Sequence, residues 1–223
     1  MKKLSIVPAF ALFLFACGPV SRSTSRAAAN TGTPVEWYAY AKDKRYDNPW
    51  ELYTITNGVI RLFGDKTGYL MSRQSYGDFE LTLDYRWNTG KEYQRGTGKK
   101  NSGVMYNVPD TARDMLWPAG IQFQIKEGAT GDFILLEQVT MEVRGETQAP
   151  GKSVAVPRLS EQEKPAGEWN TIRIIHQQGH CMQYLNGVLV NEGTKASTQK
   201  GRLLLQYEGS PIDFRNIQMR TLQ

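Results

Sequence analysis

The sequence predicts an all-β domain, on three observations. Apolar and polar residues alternate along several short runs, turn dipeptides cut the chain at regular spacing, and no stretch of useful length shows a 3.6-residue apolar period. Together these predict a sandwich or a barrel of short strands. The 223 residues suit one medium domain. Hydrophobic residues make up 40% of the chain and charged residues 22%, which is enough apolar material for a core.

The N-terminus reads as a targeting segment. Met1, Lys2 and Lys3 give a positive start, and Leu4 to Ala16 form an apolar stretch too short to span a bilayer. The stretch ends Leu14-Phe15-Ala16-Cys17-Gly18, which resembles a bacterial lipobox with a bulky Phe15 before the small residue. Residues 1–16 are therefore the expected lipoprotein signal peptide, and Cys17 is the expected lipidation site. Two or more acyl chains on Cys17 give a stable anchor to the membrane. The small, polar residues that follow extend this anchor as a flexible tether over 17–36. The expected location is lipid-anchored outside the cytoplasm, on the outer membrane facing the periplasm. Gly18 rather than an aspartate follows the cysteine, and no acidic run comes after it. Cleavage removes Lys2 and Lys3 from a formal charge of only +5, so no nucleic-acid partner is expected. With Cys17 lipidated, Cys181 has no disulfide partner and reads as a small buried residue.

The domain is expected over 37–223. A first strand pair occupies the region around 50–63, with Asn57-Gly58 as its hairpin turn. In residues 78–88, Phe79, Leu81, Leu83, Tyr85 and Trp87 share one face, and Glu80, Thr82, Asp84 and Arg86 share the other. Residues 89–101 form a basic, glycine-bearing loop without the spacing of a phosphate-binding loop. Strands follow at 102–108 and 120–126, then a further strand region over 131–143, read as a hairpin or a bent strand, and a polar excursion over 144–166. The C-terminal third gives four runs: GEWNTIRI (167–174), MQYLNGVLV (182–190), GRLLLQYEG (201–209) and IDFRNIQM (212–219). Gln178-Gly179 and Asn186-Gly187 mark turns between them.

Several pieces in this order resemble one bacterial family, the 3-keto-disaccharide hydrolase domain. They are Gly77-Asp78-Phe79-Glu80-Leu81, Tyr85-Arg86-Trp87, Asn101-Ser102-Gly103-Val104, Gln122-Phe123-Gln124, Glu168-Trp169-Asn170, Leu185-Asn186-Gly187, Leu205-Gln206 and Phe214-Arg215-Asn216-Ile217, spread over roughly residues 50–222. The resemblance implies a concanavalin A-like or LamG-like jelly-roll β-sandwich of two antiparallel sheets. It also implies a saccharide ligand and action on glycosidic bonds of 3-keto-glycosides. The chain departs from the family pattern at two places. Many members carry glutamate where this chain has Gln122, and histidine where it has Glu208. An amide cannot act as a base, so a non-catalytic carbohydrate-binding lipoprotein on the same fold is the alternative reading.

Strand parity nominates a site. Asp84 and Arg86 share a polar face, as do Gln122, Gln124 and Lys126, and Gln206 and Glu208. If the open face of a sheet binds sugar, Arg86, Gln122, Gln124, Lys126, Gln206 and Glu208 meet there. No pair of carboxylates typical of glycosidases is evident. A 3-keto sugar needs only one base at C2 and a donor or cation near the C3 oxygen. Glu208 is the expected base, with Arg86 and Lys126 as enolate stabilisers. Asn101, Gln122, Gln124 and Gln206 would hold hydroxyls, and Trp117 in a loop would stack on the sugar. His176 is the reserve base. No cofactor and no dedicated metal cluster is expected, although a loop-bound calcium ion is compatible with such a fold. An upstream sugar oxidoreductase would be the partner that supplies a keto substrate.

Overall fold

A computed structural model of the chain describes residues 34–90 and 98–223. The expected signal peptide, Cys17, most of the tether and the centre of the basic loop lie outside the described residues.

Two seven-stranded antiparallel sheets pack face to face. The first contains, in spatial order, β1 (Trp37–Ala41), β4 (Gly68–Tyr76), β15 (Gly201–Tyr207), β6 (Asn101–Val108), β7 (Gly120–Lys126), β8 (Phe133–Leu136) and β11 (Ser153–Val156). The second contains β14 (Val188–Gly193), β13 (His180–Leu185), β12 (Asn170–Gln177), β5 (Phe79–Trp87), β16 (Ile212–Thr221), β3 (Val59–Leu62) and β2 (Tyr53–Thr56). A short ladder of β9 (Glu142–Val143) and β10 (Glu146–Thr147) stands apart. The predicted jelly-roll sandwich is the observed fold.

Alternation decides what each strand buries. In β5, Phe79, Leu81, Leu83, Tyr85 and Trp87 all face the core, and the polar residues between them face out. Opposite them stand Val104, Tyr106, Ile121, Phe123, Ile125, Leu203, Leu205 and Tyr207 of the first sheet. Each such side chain contributes about 1.5–3 kcal/mol on burial. Cys181 is buried and free, as expected. The hairpin between β2 and β3 turns at Asn57 and Gly58, at φ 51° and 73°, and that between β13 and β14 at Asn186 and Gly187, at φ 52° and 85°.

The region 131–143 is neither a hairpin nor one bent strand, because it holds two strands, β8 and β9, that do not pair with each other. Glu137 and Gln138 adopt φ of 50° and 71°, which ends β8 and sends the chain to β9. The excursion after it is partly ordered as sheet, because β11 returns to pair with β8.

Both faces of the first sheet are buried to a degree a solvated sheet is not. Its outer face carries a second apolar cluster of Tyr69, Met71, Met105, Val108, Leu136 and Leu204. The loop joining β6 to β7, residues 109–119, is tied to this face. Arg202 on β15 donates to the carbonyls of Pro109 and Ala112 at 3.3 and 3.1 Å.

Candidate functional site

Cross-strand register arranges the outer face of the first sheet in three rows. Asn101 is paired with Lys126, and Glu208 follows the end of β15 beside them. In the second row Gln124 faces Gly103, Gly103 faces Gln206, and Gln206 faces Tyr69, which faces Tyr40. In the third, Gln122 faces Met105, Met105 faces Leu204, and Leu204 faces Met71, which faces Tyr38. The face is thus polar at the β6–β7 end and aromatic at the β1–β4 end.

A single hydrogen-bonded chain runs along the polar end. Gln122 Nε2 donates to Gln124 Oε1, Gln124 Nε2 donates to Asn101 Oδ1 at 3.3 Å, and Asn101 Nδ2 donates to Glu208 Oε2 at 2.6 Å. Trp117 Nε1 donates to the other carboxylate oxygen at 3.1 Å. Two donors therefore fix the plane of the Glu208 carboxylate while leaving lone pairs on each oxygen free. Gly103 makes this possible. A Cβ there would lie 2.5 Å from Cδ and Nε2 of Gln122, so only glycine lets the Gln122 side chain cross β6.

Polar capacity is left over inside this arrangement. Gln206 is 1% exposed, and both its amide atoms, together with Oε1 of Gln122, have no hydrogen-bond partner among the described residues. An unsatisfied buried polar group costs about 1–3 kcal/mol. The face keeps these groups despite the cost.

The aromatic end is organised by Asp114 of the 109–119 loop. Its Oδ1 accepts from Tyr38 at 2.8 Å and from Tyr69 at 2.7 Å, and its Oδ2 accepts from Tyr46. Burial alone would raise the Asp114 carboxyl. The three hydroxyls and nearby Arg202 outweigh it and hold the group below the ordinary carboxylate value. Burial first, and then the bond to Asp114, pushes the Tyr38 and Tyr69 hydroxyls far up. All three tyrosines are therefore neutral donors at neutral pH.

Of the residues expected from sequence, Asn101, Gln122, Gln124, Lys126, Gln206 and Glu208 share this face, and Trp117 reaches Glu208 from the loop. Arg86 does not join them. It lies on β5 in the second sheet and points to the far side of the sandwich. There it donates to the buried Asp213, with Nη2 at 3.0 Å, and stacks over Trp169 at 4.6 Å. Parity assigns a side chain to one face of its strand but cannot say which sheet the strand enters.

His176 is also excluded from this face. It is fully buried in the core, stacked on Phe79 at 5.7 Å, with Nδ1 3.0 Å from the Gly77 carbonyl. Sequence reasoning missed Asp114, Tyr38, Tyr46 and Tyr69. The Tyr38–Tyr40 alternation in WYAYA was an available signal for the strand. Asp114 sits in an irregular loop and offered none. No cluster of three or more metal-ligating side chains occurs among the described residues.

Known structures with this architecture include two candidate glycosyl hydrolases from Parabacteroides distasonis. One is 17% identical, with a TM-score of 0.59, and the match covers 84% of this chain and 88% of that one. The other is 25% identical, with a TM-score of 0.55, and covers 84% of this chain and 100% of that one. The carbohydrate-binding module CBM66 from Bacillus subtilis is 14% identical, with a TM-score of 0.57, covering 85% of this chain and 98% of that module. No curated protein sequence matches the chain. The family description "3-keto-alpha-glucoside-1,2-lyase-like domain" matches residues 27–220, so the resemblance read from the scattered motifs holds and the chain belongs to that family.

Proposed function

We propose that the protein cleaves the glycosidic bond of 3-keto-glycosides by elimination across C1 and C2, with Glu208 as the base. The observation that carries this reading is the Glu208 carboxylate, held by Asn101 and Trp117 at the end of a line of amides with unpaired polar atoms. The family's name, a 1,2-lyase, supports the same class of reaction.

The chemistry balances with one base. Glu208 takes the C2 proton, which the C3 ketone acidifies, and the electron pair moves onto the C3 oxygen as an enolate. The pair then returns through C2 to form the C1–C2 double bond, and the C1 oxygen leaves with its bonding electrons and takes the proton that Glu208 carries, which restores the Glu208 carboxylate. Water added across that bond would complete net hydrolysis. The enolate needs donors that do not reorganise. Lys126 beside Asn101, and the side-chain amides of Gln122 and Gln124, are the groups on this face that fit, in place of Arg86. Gln206 and Gln122 would gain their missing partners from sugar hydroxyls.

The second reading, a non-catalytic carbohydrate-binding protein, is supported by Gln122. Among the described residues that form the hydrogen-bonded line at the polar end, Glu208 is the one carboxylate, and Asp114 is committed to three tyrosines. Proton NMR of the protein with 3-keto-glucosides and the matched glucosides separates the two. Release of the aglycone from the keto sugar, lost in Glu208→Gln, supports the lyase. Line broadening of the sugars without turnover supports the binding module.

The proposal includes a lipid anchor at Cys17 on the outer membrane and an upstream oxidoreductase that forms the ketone. Metabolic labelling with a fatty acid, absent in Cys17→Ala, tests the anchor.

A further inference from the structure

A cleft of about 530 Å³ lies where β1 ends the first sheet, at the aromatic end of the face, and Glu208 is not part of its lining. Its size is that of a small-molecule site. Trp37 and Tyr53, from the edge strands of the two sheets, contribute rings, and Tyr38 contributes a third. Arg73 and Arg202 bring two guanidinium groups against one carboxylate, Asp114.

The two arginines differ in what they already hold. Arg202 donates to Tyr38 Oη at 2.8 Å and to two loop carbonyls, so it is a fixed part of the wall. Arg73 makes no ion pair among the described residues, and its guanidinium lies 5.8 Å from the Tyr38 ring centre. Asp114 brings a single negative charge, and Arg202 is already set against it. The cleft therefore carries one unanswered positive charge on a planar fork that matches a carboxylate.

The strand itself adds a hydrogen-bonding edge. The amide of Lys42 bonds Thr67 of the neighbouring chain segment, and the amide of Arg73 bonds Glu36, so even-numbered residues of β1 face β4. Ala41 turns the other way, to Arg45. By alternation, the N–H and C=O of Ala39 also turn to the free edge, where Ala39 lines the cleft. Flat aromatic faces, a donor–acceptor pair and one free guanidinium fit a ring bearing hydroxyls and one carboxylate.

We infer that this cleft is a second saccharide site, selective for a sugar acid whose carboxylate pairs with Arg73 and whose ring lies against Trp37 and Tyr53. The site goes beyond the lyase reading and does not depend on Glu208 being a base. It would hold an acidic residue of a glycan while the sheet face engages another unit.

The test titrates the full-length protein with methyl β-D-glucuronide and methyl β-D-glucoside, following tryptophan indole N–H signals. The glucuronide shifts the Trp37 indole and binds about threefold tighter than the glucoside, the gain expected of an ion pair at an exposed guanidinium. Arg73→Gln removes that preference while the thermal midpoint stays in place, since Arg73 is exposed. Equal affinity for the two sugars, a shift confined to the Trp117 indole, or unaltered glucuronide binding by Arg73→Gln would each overturn the assignment.

Discussion

Trp117 Nε1 donates a hydrogen bond to Oε1 of Glu208 at 3.1 Å, joining an irregular loop to the end of a central strand. Trp117 is 41% exposed. What the contact does is orient a carboxylate. Asn101 fixes one oxygen and Trp117 the other, and lone pairs remain on both.

Trp117→Phe removes the donor and keeps a ring. A hydrogen bond to a charged group contributes about 1.5–3 kcal/mol, less where solvent competes. Turnover of a 3-keto-glucoside is expected to fall roughly tenfold, while the thermal midpoint moves by no more than about 2 °C. Steady-state rates and a thermal melt check both. A large drop in the midpoint with unaltered turnover would make Trp117 a structural residue.

Gly103→Ala tests the crossing of Gln122 over β6. The added methyl group would lie 2.5 Å from the Gln122 amide, which must move. Overpacking of this kind costs about 1–3 kcal/mol. Urea unfolding should show that loss, and a second change, Gln122→Ala, should recover most of it by removing the collision. If the two changes were simply additive, Gly103 would have some other role.

Much of this face was legible before the structure. Alternation in GIQFQIK and GRLLLQYEG places Gln122, Gln124 and Lys126 together and Gln206 with Glu208, and register then brings the two groups together. Periodicity is a property of one strand, so it reports faces faithfully. The partner sheet is set by long-range pairing, and that is why Arg86 was misplaced: Asp84 and Arg86 look the same whichever sheet β5 joins. The Asp114 cluster was invisible for a related reason. It joins a loop to Tyr38, Tyr46 and Tyr69, far apart in sequence, and no local pattern encodes that meeting.

Arg86→Met tests the correction directly. Asp213 is fully buried and accepts from Arg61 at 2.7 Å, Asn88 at 3.2 Å and Arg86 at 3.1 Å. Burial would raise its carboxyl, but these donors together hold it below the ordinary value. With Arg61 and Asn88 still in place, loss of Arg86 should cost about 1–3 kcal/mol of stability and leave saccharide turnover within twofold. A loss of turnover well beyond the loss of folded protein would return Arg86 to the catalytic set.

His176 supplies the pH test. Burial, opposed by the Gly77 carbonyl and by Asp78, sets its pKa below the ordinary 6.5. The folded protein therefore binds fewer protons on this ring than the unfolded chain does once pH drops under about 6.5. The sign follows: the neutral ring's contribution is complete above that value and is lost as pH falls toward the folded-state pKa. The limiting slope for one group is about 1.4 kcal/mol per pH unit. Urea midpoints at pH 7.5 and 5.5 should show the wild type weakening between them, and His176→Phe should flatten the difference. The same variant, corrected for folded fraction, should keep its turnover at pH 7.5. His176 lies buried in the core against Phe79, on a strand of the second sheet, whereas Glu208 follows a strand of the first. Lost turnover in a folded His176→Phe would make the ring the base after all, and Glu208 its companion.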